Sequence, residues 1–286
     1  MTVPPRSILE GPLKTARLTL HHLAIRRPGA PKVLLLGGSN FDLRLKRAFL
    51  DTSFAQEADL VTYEPRGIGR SEQPDGLWTM DDFARDALAV LDALSWDQAV
   101  VIGESFGGMT ALHLALIAPE RVLGLVLASA TAGGPGLASY DISEFLEMPL
   151  TEAARRALCL QDCRHVAMLE RDPEGFARAL EARLAFEQAF RASSVDSGGY
   201  ARLLDARRGH DCSDRVQMIQ HPTSIIAGRY DRQASPEAQE ALAAVLPNAD
   251  FTVLSAGHGV LFTDPEADHI ATAAIHRATL TKETSR

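Results

Sequence analysis

Cysteine, positive charge and long apolar runs are all scarce in this chain, and each scarcity removes a class of protein. Only three cysteines occur in 286 residues, Cys159, Cys163 and Cys212. An odd number gives no disulfide framework and fits a reducing compartment. Cys159 and Cys163 sit one helical turn apart, but no companion Cys or His pair stands at zinc-like spacing, so no metal is expected. No apolar run reaches the ~18 residues of a membrane span, and the opening MTVPPRSILEG lacks the apolar centre of a secretory signal. Lys and Arg number 29 against 37 Asp and Glu, a net charge of -8, which disfavours nucleic acid and anionic membrane surfaces as partners. The expectation is a cytoplasmic protein that meets a small molecule, with no nucleic acid, membrane or cofactor. Oligomeric state is not legible.

The length suits one large domain or a core with an inserted subdomain. Short runs of branched apolar residues alternate with helical periodicity. An alternating apolar and polar stretch over residues 17–25, interrupted at His21-His22, predicts an edge strand with a bulge. Val33-Leu34-Leu35-Leu36 predicts a strand covered on both faces. It runs into Gly37-Gly38-Ser39-Asn40, followed by a mixed segment with Leu43, Leu45, Phe49 and Leu50 that is read as helical. Leu60-Val61-Thr62-Tyr63 gives another strand. A helix is predicted over 80–94, with Asp81 and Asp82 favouring its amino end. Residues 122–128 give a further buried strand. Alternation of this kind implies crossover connections and a mainly parallel sheet flanked by helices.

The rhythm breaks after Ala132-Gly133-Gly134-Pro135-Gly136. From residue 140 to 208 there is helical patterning without a convincing strand, and α/β alternation resumes with Ser224-Ile225-Ile226-Ala227. The predicted organisation is an α/β core of 1–133 and 209–286 interrupted by a helical cap, 134–208.

One stretch organises the rest. Val100-Val101-Ile102 leads into Gly103-Glu104-Ser105-Phe106-Gly107-Gly108, and a helix-forming segment follows at once. A strand ending at Gly103 and a helix starting near Ser105 place the serine on a sharp turn, its hydroxyl at the carboxyl end of the sheet. A serine hydroxyl needs a base, usually a histidine held by a carboxylate. Asp231 follows one late strand and His258 the next, both in loops where crevices form in such sheets. The order Ser, Asp, His along the chain accompanies this kind of serine.

The pieces Leu36-Gly37-Gly38-Ser39-Asn40, Pro65-Arg66-Gly67-Ile68-Gly69-Arg70-Ser71, Gly103-Glu104-Ser105-Phe106-Gly107-Gly108, Ile226-Ala227-Gly228-Arg229-Tyr230-Asp231 and Ala256-Gly257-His258-Gly259 occur in this order. Together they resemble the α/β-hydrolase family, in its cap-bearing branch, from about Leu34 to the carboxyl end. The resemblance implies Ser105 as nucleophile, His258 as general base and then acid, Asp231 as the group orienting the imidazole, and an oxyanion hole from the backbone N–H of Ser39 and Phe106. The family often has His-Gly where this chain has Gly37-Gly38, so Asn40 stands as an alternative contributor. The implied activity is serine hydrolysis of a carboxylic ester or lactone.

Other reactions of the family use similar parts. C–C bond hydrolases of aromatic degradation usually carry Asn where this chain has Glu104, and proline-releasing peptidases carry a longer, proline-containing oxyanion loop. Ser105 disfavours the branches with an Asp nucleophile, and an intact triad argues against a non-catalytic ligand receptor. A cofactor-independent oxygenase is more distant. Glu104 either tunes the site's charge or bonds to backbone. His113 reads as a satisfied core histidine, His210-Asp211 as a solvated hinge, and the Arg66-Gly67-Ile68-Gly69 loop as a structural turn. Tyr140, Phe145, Leu146, Met148 and Met168 predict a mostly apolar pocket roof for a small or medium substrate, with Tyr140, Phe145 and Asn40 as pocket candidates.

Overall fold

The short apolar runs become the middle of one sheet in the computed structural model, which describes residues 7–135, 137–195 and 198–284. Its strands are β1 (Ser7–Lys14), β2 (Thr19–Arg26), β3 (Lys32–Leu36), β4 (Asp59–Tyr63), β5 (Ala99–Glu104), β6 (Val122–Ala128), β7 (Thr223–Gly228) and β8 (Ala249–Leu254), ordered β1-β2-β4-β3-β5-β6-β7-β8. β1 and β2 are antiparallel to their neighbours, and every later pairing is parallel.

Helices cover both faces, which is why β4, β5 and β7 are buried at every residue. On one face lie α2 (Met80–Ala93) and α3 (Phe106–Ile117); α1 (Ser53–Glu57) lies on the other. α2 starts on a capping box in which Thr79 and Asp82 satisfy each other's backbone N–H. Between β6 and β7 the described residues contain no strand. They form α4 (Leu150–Gln161), α5 (Arg164–Arg171), α6 (Pro173–Phe190), a π-helical turn (Arg191–Val195) and α7 (Gly199–Arg208). Phe190, Leu203 and Leu204 from this segment pack with Trp78, Phe83 and Phe106 of the sheet-bearing part. α8 (Pro236–Val245), α9 (Val260–Thr263) and α10 (Pro265–Thr284) complete the chain. Among the described residues no helix is long and apolar enough to cross a membrane.

Two local expectations change. The stretch read as a bulged edge strand is β2, paired on both sides, and its register with β1 runs unbroken from Ser7↔Arg26 to Lys14↔Thr19. The true edge is β1, whose Gly11 and Pro12 interrupt any apolar alternation and are tolerated where one side of the strand is unpaired. The His21-His22 pair reflects incomplete burial: His22 Nδ1 bonds the Gly11 carbonyl at 2.8 Å, and both rings are half-buried. The segment holding Leu43 to Leu50 is a turn and a 3-10 turn (Ala48–Asp51) in place of a helix. Asp42 explains this, because its carboxylate takes the Arg44 N–H at 2.9 Å and competes with helical bonding. The predicted stretch 132–136 ends on Gly136, which lies outside the described residues, as do residues 1–6 of the opening segment.

Candidate active site

Ser105 sits between β5 and α3 with φ 54° and ψ -117°, a backbone conformation that few non-glycine residues adopt. Two glycines make the turn possible. A Cβ on Gly103 would lie 2.5 Å from the Gly108 Cα, and one on Gly107 would overlap the Leu36 carbonyl. The Ser105 N–H is anchored on the Ala128 carbonyl at 2.8 Å, which ties the turn to the end of β6.

The other two residues arrive on the loops after β7 and β8. Asp231 is fully buried; its Oδ1 accepts the backbone N–H of Gln233 at 2.8 Å and of Ala234 at 3.0 Å. Its Oδ2 lies 2.7 Å from Nδ1 of His258, and Nε2 of His258 lies 2.8 Å from Oγ of Ser105. An ionised carboxylate only accepts, so Nδ1 carries the proton and Nε2 offers its lone pair to the serine hydroxyl. The His258 loop is pinned from two sides: its carbonyl accepts the Ser129 hydroxyl at 2.7 Å, and its N–H donates to the Gln161 carbonyl at 2.7 Å.

Phe106 opens α3, where an N–H has no carbonyl one turn earlier in the helix to bond. Its ring is buried against Phe83, centroids 4.8 Å apart, and does not line the pocket at Ser105. Across the pocket, the Gly38 N–H donates to Oε2 of Glu104 at 2.9 Å. Glu104 therefore bonds backbone, and it does so at the residue preceding Ser39. Ser39, Asn40, Ser105, His258 and Phe145 line one pocket of about 630 Å³, its open mouth included.

Tyr140 does not line it. Its ring is exposed beside Phe145, and its hydroxyl donates to Glu144 at 2.6 Å. Met148 and Met168 are also absent from the wall, while Leu146 is present. The roof is consequently less apolar than expected. Arg183 and Glu187 of α6, Arg191 of the π-helical turn, and Tyr200 of α7 face the pocket beside Ile142, Phe145 and Leu146. Burial pushes the Tyr200 phenol up, against the opposing effect of a hydrogen bond with Ser39.

The least anticipated feature is a polar chain that ends on the histidine. Glu187 pairs with Arg183 at 2.6 Å, Arg183 Nη1 donates to Oε1 of Gln161 at 2.6 Å, and Nε2 of Gln161 donates to Oε1 of Gln233 at 3.2 Å. Nε2 of Gln233 then lies 2.9 Å from Nε2 of His258. Gln233 stands two residues after Asp231, a proximity that could have marked it. Gln161, Arg183 and Glu187 are helical positions whose pocket-facing side depends on how α4 and α6 pack. The Arg66 loop is structural, as its side chain is buried and grips Asp86 at 2.6 and 2.7 Å. His210 is buried against His113 and does not line the pocket.

Residues 33–265 match the family described as alpha/beta hydrolase fold. A 2-hydroxymuconate semialdehyde hydrolase of Pseudomonas putida is 31% identical over 217 residues, 71% of this chain and 72% of that protein. A poly(3-hydroxyalkanoate) depolymerase of Ectopseudomonas oleovorans is 28% identical over 247 residues, 84% of this chain and 83% of the other. Among solved structures, a hydrolase from Pseudomonas aeruginosa PA01 superposes with a TM-score of 0.75 at 27% identity, covering 96% of this chain and 99% of that one.

Proposed function

Because this chain belongs to the alpha/beta-hydrolase family, we propose that it is a serine hydrolase that cleaves a carboxylic ester or lactone through an acyl-enzyme at Ser105. The observation that carries this reading is the unbroken hydrogen-bonded line from Asp231 through His258 to Ser105, at 2.7 and 2.8 Å. In the proposed mechanism Oγ of Ser105 attacks the ester carbonyl carbon as its proton passes to Nε2 of His258. The oxyanion that forms is met by the N–H groups of Phe106 and Ser39, donors whose value lies in charge that exists only in the transition state. The C–O bond then breaks, and the leaving alcohol takes the proton from His258. Water repeats the sequence on the acyl-enzyme: His258 accepts its proton and returns it to Oγ as the acid departs. A lactone, being a cyclic ester, gives one product in place of two.

In this reading 134–208 is the cap over a core of 1–133 and 209–286, and it supplies most of the substrate pocket. An apolar portion of the substrate would rest on Ile142, Phe145 and Leu146. Arg183, Glu187 and Arg191 provide hydrogen-bonding groups for a polar end. A small or medium substrate with both characters fits better than a mostly apolar one.

The second reading, C–C bond hydrolysis, draws support from the P. putida relative. A panel of esters, lactones, thioesters, amides and a vinylogous diketone, run on the wild type and on Ser105→Ala, separates the two. Ester turnover is expected to fall by on the order of 10⁴-fold or more in Ser105→Ala, and a fluorophosphonate should label Ser105 in the wild type. Ester turnover unchanged by the substitution would overturn the proposal. Preference for the diketone over every ester would favour the second reading.

A further inference from the structure

His113, His210 and Cys212 meet away from the Ser105 pocket, where the chain leaving α7 returns to the sheet and lies against α3. All three are buried, with exposures of 5%, 6% and 0%. The atoms they can offer to a metal lie within 4.8 Å of one another. The spacing of these residues in sequence gives no sign of this, since α3 and the segment after α7 are brought together only by the fold.

Hydrogen bonds on the outer sides of the two rings fix where the protons are. Nδ1 of His113 lies 2.8 Å from the Asp81 carboxylate, and Nε2 of His210 lies 2.8 Å from the Thr131 carbonyl. Both partners accept only, so in two neutral rings each outer nitrogen carries the single proton. The inner nitrogens, Nε2 of His113 and Nδ1 of His210, then face each other with lone pairs only, 3.2 Å apart. Two acceptors at hydrogen-bond distance require something positive between them.

We propose that His113 Nε2, His210 Nδ1 and Cys212 Sγ form a binding site for a divalent transition-metal ion of the zinc class. At Zn–N lengths of about 2.05 Å, two nitrogens 3.2 Å apart subtend roughly 103° at the ion, close to the tetrahedral angle. The outer hydrogen bonds are the kind that orient metal-bound imidazoles, a carboxylate on one ring and a backbone carbonyl on the other. The Cys212 thiol now reaches the Ala132 carbonyl at 3.5 Å. On binding it loses its proton to solvent, rotates from that carbonyl and completes a mixed N/S set suited to a borderline-soft cation.

The role assigned to this site is structural. The backbone N–H of Cys212 donates to the Ala132 carbonyl at 2.9 Å, and Gly133 bridges Asp211. An ion here would fasten both chain crossings of the α4–α7 segment to α3, the helix that begins beside Ser105.

The test is titration of dialysed, reduced, full-length protein with Co²⁺, read by visible absorption, and with Zn²⁺, read by Tm. One equivalent of Co²⁺ should bind with ligand-field bands and a sulfur-to-cobalt charge-transfer band, and Zn²⁺ should raise Tm. Cys212→Ser should lose the charge-transfer band, His210→Ala should bind at least ~100-fold more weakly, and Asp81→Asn roughly 10- to 100-fold more weakly. Ser105→Ala should bind as the wild type does. If His210→Ala fails to fold, the Cys212→Ser spectrum still decides the thiolate. Failure of the folded wild type to bind either ion at about 1 mM, or Co²⁺ spectra unchanged in Cys212→Ser, overturns the site. Where no ion binds, the group between the rings is a proton shared by His113 Nε2 and His210 Nδ1.

Discussion

The amide nitrogen of Gln233 lies 2.9 Å from Nε2 of His258, on the same lone pair that the Ser105 hydroxyl reaches at 2.8 Å. Its orientation is set at a distance. A guanidinium only donates, so Arg183 holds Gln161 with its oxygen turned toward α6. The Gln161 amide nitrogen then faces the Gln233 oxygen, which turns the Gln233 nitrogen to the imidazole. A charge on α6 thereby decides that a donor meets the histidine. Gln233→Ala and Arg183→Met should each lower kcat on a saturating p-nitrophenyl ester by about 3- to 10-fold, and the double variant should be little worse than either, because both act through one chain. Independent, multiplicative losses would show that no such chain operates.

Glu104 and Gly38 form a second supporting contact, this one beneath the proposed oxyanion donor Ser39. Glu104→Ala leaves the Gly38 N–H without its acceptor, at a cost of about 1–3 kcal/mol, and releases the backbone that positions Ser39. Stability in urea and kcat should fall together. Glu104→Gln keeps a carbonyl oxygen for the same N–H and should recover most of both. Equal damage from the two substitutions would point to the charge itself as the important property.

The serine turn and its two partners were legible because each depends on local rules: glycines where a Cβ has no room, a strand before the turn, loops after strands for Asp231 and His258. The polar chain was not. Gln161 and Arg183 become neighbours only when α4 and α6 pack, and nothing in the period of either helix specifies that angle. Tyr140 shows the converse, an aromatic ring expected in the pocket that turns outward to Glu144. β1 is not legible in the sequence because Gly11 and Pro12 erase the alternation that marks a strand, and pairing with β2 supplies what its own pattern lacks.

Asp42 joins the loop after β3 to the turn after α6, and it gives a dependence on pH. Burial alone would raise its carboxyl; hydrogen bonds from Arg44 and Ser193 outweigh this and hold it below the ordinary value of 3.8. The folded protein therefore binds this proton less readily than the unfolded chain. Its contribution is complete above pH 3.8 and disappears as pH falls through the depressed folded value. Asp42→Asn should cost about 1–3 kcal/mol at pH 7, and the difference from wild type in urea midpoints should narrow in strongly acidic buffer. A gap that stays constant over that range would remove the carboxylate from the account.

Gly107 and Gly209 separate a glycine required by space from one that is replaceable. A Cβ at 107 would run into the Leu36 carbonyl. That carbonyl belongs to β3, whose Leu36 is in register with Gly103 of β5, so relief would have to come from the centre of the sheet. Gly107→Ala should cost about 3 kcal/mol or more, or prevent folding. Gly209 has φ -80°, within reach of any residue, and an added Cβ would meet its nearest neighbour at 3.5 Å. Gly209→Ala removes only the freedom of the unfolded chain and should stabilise by about 0.4–1 kcal/mol. Urea denaturation of the pair checks both signs. Similar behaviour of the two would mean that the turn at Ser105 is held by something other than the close approach of α3 to β3.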